Sequence, residues 1–81
     1  MFEYFYSVRF KKQYKKLDSR QQELVKKKIL KIAENPELGK PLHAPLQHFK
    51  SERVENLRII YKMNEKMIEF AWIDDRGHVY G

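Results

Sequence analysis

The stretch from Leu57 to Ile73 constrains this chain more than any other. Leu57 to Met63 and Met67 to Ile73 are runs of aliphatic, β-branched and aromatic residues, broken only by Asn64-Glu65-Lys66. Two such runs around so short a polar break predict a β-hairpin. Alternation places Ile68, Phe70 and Trp72 together on one face of the second strand. A shorter strand, Glu52 to Glu55, joins the first run through a turn at Asn56. The aromatic segment Phe2 to Tyr6 suits a strand that joins the same sheet, since alone it could not bury its rings. After the break at Asp74-Asp75-Arg76-Gly77, residues 78–81 offer one more short pairing.

Between these strands the period changes. Ser7 caps a helix whose apolar positions Phe10, Tyr14 and Leu17 follow i, i+4, i+7 spacing. Leu17-Asp18-Ser19-Arg20 reads as a corner, with a capping box from Asp18 to Gln21 or from Ser19 to Gln22. A second helix runs from about Arg20 to Glu34, with Val25, Ile29, Ile32 and Ala33 as its buried stripe and Leu24 beside them. Asn35-Pro36 ends it, because the proline biases the residue before it away from the helical region. The two helices are expected to pair as a hairpin, and residues 36–50 to form a loop. The plan is α+β, in the order β-α-α-β-β-β, with an antiparallel sheet packed on a helical hairpin. One sheet face is then left open beside basic loops, a surface suited to RNA.

Composition removes several function classes. The 81 residues contain no cysteine, so a disulfide scaffold, a thiolate zinc site and a cysteine nucleophile are excluded. No apolar run is long enough to span a membrane, and Met1 to Lys12 lacks the layout of a signal peptide, so the chain reads as cytoplasmic. His43, His48 and His78 make no metal-binding spacing, and no phosphate-binding loop or dinucleotide fingerprint occurs, so no metal or cofactor is implied. Seventeen Lys+Arg against eleven Asp+Glu leave a net charge of +6. That excess favours a polyanionic partner: RNA, DNA, the ribosome or an acidic protein. A merely solubilising surface is the plain alternative.

One concentration of residues carries chemistry. Lys50, Arg53, Arg58, Tyr61, Arg76, His78 and Tyr80 crowd the C-terminal half. RNA cleavage without a metal needs a group to activate the ribose 2′-OH, charge to stabilise the phosphorane, and a proton for the leaving 5′ oxygen. Arginine supplies the second, with a planar fork matched to phosphate oxygens. Histidine, tyrosine or lysine supply the others. Each residue also has a structural reading. Arg58 would serve as an ion-pair partner of Glu55 or Glu69, Tyr80 would close the sheet edge, and Tyr61 and Trp72 would belong to the core. Lys11, Lys12, Lys15 and Lys27 would be solvated helix faces that add nonspecific attraction to RNA.

Four segments in order resemble the RelE/ParE superfamily of toxins from toxin–antitoxin pairs. They are Ser7-Val8-Arg9-Phe10 with Lys12, Tyr14, Lys15, Lys16 and Leu17; Asn35-Pro36 through Gly39-Lys40-Pro41-Leu42; Arg53 through Tyr61; and Arg76-Gly77-His78-Val79-Tyr80. The resemblance spans nearly the whole chain and implies one RelE-like toxin domain over residues 1–81. It further implies a ribosome-dependent, metal-free mRNA endonuclease of the RelE kind, restrained by a cognate antitoxin, with a toxin–antitoxin heterotetramer as the assembly. Carried over residue by residue, Arg58 and Arg76 match the arginines that hold the scissile phosphate. Tyr80 matches the terminal tyrosine that stacks on the base or assists proton transfer, and Arg53 matches one of a basic pair. The chain departs from the pattern at Ser51, Glu55 and Asp75. The general base is left open between His78 and a lysine such as Lys50. Ser51 and Asp75 favour a second expectation, a ParE-like inhibitor of DNA gyrase. A third is a basic binding module without activity.

Overall fold

The computed structural model describes residues 1–75. The elements are strand β1 (Glu3–Tyr6), helix α1 (Val8–Lys15), helix α2 (Ser19–Glu34), a single 3₁₀ turn (Pro36–Leu38), and strands β2 (Lys40–Pro41), β3 (Lys50–Val54), β4 (Leu57–Asn64) and β5 (Met67–Asp75). They form one five-stranded sheet in the order β1-β5-β4-β3-β2, with both helices packed on it. No described helix is long and apolar enough to cross a membrane.

The helices start where side chains can cap them. Ser7 Oγ accepts the Phe10 amide at 3.0 Å, and Asp18 accepts the Gln21 amide while Gln21 reaches back to the Asp18 backbone. Of the two capping boxes the sequence allows, the one from Asp18 therefore forms. The stripe Val25, Ile29, Ile32 and Ala33 is buried, as its spacing predicts, against Leu57, Ile59, Tyr61, Ile68, Phe70 and Ile73 of the sheet. Phe10 completes this core from α1, with Tyr14 and Leu17 half-buried beside it. The β-hairpins turn through Glu55 and Glu65, both with positive φ.

The structure departs from the sequence expectations in five places. Strand β5 runs through Asp74 and Asp75, where the sequence predicts a break, because both residues pair with β4. The sheet is mixed, because β1 lies parallel to β5, from Glu3 opposite Met67 to Tyr6 opposite Phe70. The whole helical layer between them supplies the crossover that a parallel pair needs. The 36–50 loop contributes the short strand β2, and β3 begins at Lys50 rather than Glu52. The helices share a corner, where Tyr14 and Gln22 exchange hydrogen bonds, but a groove of about 290 Å³ opens beyond it. Finally, Trp72 does not share a face with Ile68 and Phe70. A bulge in β5 sets Phe70 opposite Tyr61 but Trp72 opposite Ile60, leaving Ala71 without an opposite residue. One extra residue reverses the alternation, so Ile73 turns to the core and Trp72 to the sheet's outer face.

Ser7, the cap of α1, and Gln13 within it satisfy the β5 backbone beyond the end of β1. Beyond Phe70 strand β1 has ended, and the Ser7 amide donates to the Phe70 carbonyl at 3.0 Å. Ser7 Oγ donates to the Ala71 carbonyl at 2.5 Å. Gln13 both donates to the Ile73 carbonyl at 2.8 Å and accepts its amide at 2.7 Å, as a neighbouring strand would. Thus α1 closes the part of the β5 edge that β1 leaves open.

Tyr61 pins the loop at the other end of the sheet. Its fully buried hydroxyl donates to the Pro36 carbonyl at 2.8 Å and accepts the Gly39 amide at 2.9 Å. A β-carbon on Gly39 would come within 2.5 Å of that hydroxyl, so glycine alone permits the approach. Tyr61→Phe strands both backbone groups and is expected to cost about 1–3 kcal/mol. The effect is read as a lower urea midpoint at unchanged slope. Alkaline pH gives a second check. Burial raises the Tyr61 pKa, and burial followed by the neighbouring Tyr4 pushes Tyr6 up to about 12. Unfolded tyrosines ionise near about 10. Their stabilisation is therefore complete below that pH and is lost as the pH rises toward the folded values. Urea midpoints measured from pH 8 to pH 11.5 should fall only across the upper part of that range.

Candidate phosphate-binding face

The β3–β4 and β4–β5 registers bring two of the proposed site residues together on the outer sheet face. Arg53 of β3 stands opposite Arg58 of β4, and Arg58 stands opposite Asp74 of β5. Like charges facing each other across a strand pair are destabilising. Asp74 offsets this by accepting a hydrogen bond from Arg58 at 2.9 Å. The sequence offered Glu55 or Glu69 as partners for Arg58, and neither takes that place. Glu55 pairs with Arg20 on the helix side, and Glu69 faces Lys62. Without the bulge Arg58 would face Ile73, so the same extra residue that moves Trp72 delivers Asp74. The Arg58 side chain is 27% exposed, and its buried Nε has no hydrogen-bond partner among the described residues. Arg53 is exposed. Two adjacent guanidinium groups, of which only Arg58 is bonded to the carboxylate at the end of the row, form a site in which an anion can compete for the forks that Asp74 leaves free.

The other proposed residues fall elsewhere. Lys50 lies opposite Tyr61, so it belongs to the helix-bearing side, where its ammonium pairs with Glu37 at 3.2 Å. Lys11 and Lys15 line the groove between the helices, while Lys12 and Lys27 are exposed on α1 and α2. None of these lysines belongs to the Arg53–Arg58 row. Arg76, His78 and Tyr80 lie outside the described residues. Among the described residues no group of His, Asp and Glu is placed to hold a metal ion.

Sequence reasoning missed a second group on the outer face. The Trp72 ring lies 5.2 Å from that of Phe49, and the Arg9 guanidinium sits 5.1 Å above the indole. Lys62 Nζ lies 5.2 Å from the Phe49 ring, whose other neighbour is His48 at 4.8 Å. A bulge has no sequence signature in this hairpin, so Trp72 read as core. The aromatic neighbour at Phe49 sits in what the sequence marked only as loop.

With the geometry in place, the chain can be set beside known proteins. The family model described as "ParE toxin of type II toxin-antitoxin system, parDE" matches residues 4–80. No curated protein matches the sequence. Among solved structures, the toxin–antitoxin complex RelBE2 of Mycobacterium tuberculosis superposes with a TM-score of 0.82 at 20% identity, covering 93% of this chain and 98% of that one. The isolated RelE toxin of E. coli gives 0.77 at 24% identity, over 99% and 92% of the two chains. YafQ of E. coli gives 0.69 at 20% identity, over 100% of both. At these identities the structures establish a shared fold.

If Asp74 competes with phosphate for Arg58, Asp74→Asn should tighten binding of a short RNA and steepen its salt dependence, whereas Arg58→Gln should weaken binding and flatten it. Fluorescence anisotropy across a salt series measures both. Equal affinity of the two variants would remove Arg58 from the binding surface.

Proposed function

The chain belongs to the ParE toxin family of type II toxin–antitoxin systems, and within that frame we propose that it is a ribosome-dependent mRNA endonuclease acting in the cytoplasm, with residues 1–81 forming one toxin domain. The observation that carries this reading is the row Arg53, Arg58 and Asp74 on a sheet face that neither helix covers. In the cleavage step the ribose 2′-oxygen attacks phosphorus and the bond to the 5′ oxygen breaks, leaving a 2′,3′-cyclic phosphate. Arg58 and Arg76 hold the phosphate and balance its growing charge. His78 takes the 2′-OH proton, and Tyr80 orients the base and returns a proton to the leaving oxygen. The engagement of Lys50 by Glu37 on the other side of the sheet favours His78 over Lys50 as the base.

A cognate antitoxin is the natural restraint. Toxin–antitoxin complexes of M. tuberculosis and E. coli share this fold. A net charge of +6 suits an acidic partner. The groove between the helices has an apolar floor of Tyr6, Phe10, Tyr14 and Ile29 with Lys11, Lys15 and Lys26 beside it, which fits an acidic amphipathic helix. A heterotetramer is the assembly proposed.

The ParE family match also favours a second reading, inhibition of DNA gyrase through the same fold without acid–base chemistry. Ser51 and Asp75, which depart from the nuclease pattern, point the same way.

Primer extension on programmed ribosomes decides between the two readings. The wild type should cut mRNA in the ribosomal A site with chelator present or absent. Arg58→Ala, with an unchanged circular dichroism spectrum, should cut about a hundredfold or more slowly. Gyrase-dependent DNA breaks without any mRNA cleavage would replace the first reading with the second.

A further inference from the structure

The geometry points to Trp72 as a base-stacking platform: a nucleotide of single-stranded RNA lays its base on the indole while its phosphate reaches Arg58. The inference rests on RNA being the substrate and adds a stacking subsite, Trp72 with Phe49 and Arg9, beside the Arg58 already proposed to hold phosphate.

Four observations carry it. First, Trp72 stands two residues before Asp74 on the same strand face, so the indole and the Arg58–Asp74 pair are about 7 Å apart along the sheet. One nucleotide can bridge that distance. Second, Trp72 lies on the outer sheet face, where the only helix contact the ring receives among the described residues is the Arg9 side chain of α1. It is half-buried through contact with Phe49 and Arg9, unlike Ile68, Phe70 and Ile73, which the helices seal. Third, the aromatic pair is flanked by cations, with Arg9 over Trp72 and Lys62 over Phe49. A stacking surface bordered by cations is what single-stranded nucleic acid requires, since every base has a π face and every linkage a charge. Fourth, among the described residues the β4–β5 register sets two carboxylates on this face, each opposite a cation of β4. Asp74 faces Arg58, and Glu69 faces Lys62.

Arg9 gives the platform a mechanism. Its guanidinium occupies the ring face in the free protein, a cation–π contact that shields the indole from water. An incoming base takes that position, and Arg9 moves outward to the adjoining phosphate, exchanging the ring for a charge-assisted hydrogen bond. The displaced group thus becomes a ligand of the same nucleotide.

The test uses the fact that Trp72 is the only tryptophan in the chain. Its emission reports on this site alone. A 2′-O-methyl RNA hexamer, which cannot undergo 2′-oxygen attack, is titrated beside an abasic hexamer with the same number of phosphates. Quenching by the first and not by the second is expected. By anisotropy, Trp72→Ala should bind the base-bearing hexamer about five- to a hundredfold more weakly, and Trp72→Phe should restore most of the loss. Circular dichroism excludes misfolding. Equal quenching by the abasic hexamer, no quenching by either, or unchanged affinity in Trp72→Ala overturns the inference. The nuclease reading is tested separately. Base-dependent quenching without ribosomal cleavage removes the nuclease and keeps the platform. Cleavage by a Trp72→Ala variant of wild-type affinity removes the platform and keeps the nuclease.

Discussion

One unpaired residue, Ala71, sets the register on which the outer face depends. Up to Phe70 the β4–β5 hairpin runs in the register its turn dictates, and from Trp72 onward it runs one residue out. That slip sends Ile73 into the core, turns Trp72 away from it and sets Asp74 against Arg58. Beside and beyond this bulge β1 no longer covers the β5 edge, and here Ser7 and α1 take up the backbone groups. Ser7 holds the Ala71 carbonyl, and Gln13 holds both polar groups of Ile73. The first helix is therefore part of the site's foundation, although none of its residues belongs to the arginine row.

The charges are divided between the two sides of the sheet. On the helix side, cations are drawn into pairs that bridge elements: Arg20 with Glu55, Lys28 with Glu52, and Lys50 with Glu37. Pairs as exposed as the first contribute little to stability. Their clearer consequence is to occupy positive charge away from the outer face. There two arginines stand side by side with one carboxylate bonded to Arg58, and two further cations rest on aromatic rings. A polyanion meets cations that need only exchange a weak partner for a stronger one.

Local patterns were legible where neighbours in sequence are neighbours in space. The stripe on α2, the Ser7 and Asp18 caps, the stop at Asn35-Pro36 and the turn at Glu65 follow from helical period, capping chemistry and chain direction. So did the pairing of Phe2 to Tyr6 with the sheet, though not its parallel direction. The site was legible only in part. Arg53 and Arg58 lie close together on either side of a short turn, and the two-residue loop Glu55-Asn56 sets them opposite each other. Asp74, Arg9 and Phe49 reach the same face from segments whose separation in sequence says nothing of their distance.

The sequence by itself determined the fold class, the family and the basic character of the chain, because period, turn chemistry and charge are written residue by residue. Tertiary structure alone decided which residues share a surface. It removed Lys50 to the helix side beside Glu37, brought Trp72 out of the core and gave Arg58 its carboxylate. The reason is that side chains in a strand alternate with a period of two. A single bulge reverses every assignment beyond it, and the bulge is held by contacts from α1, about sixty residues earlier in the chain.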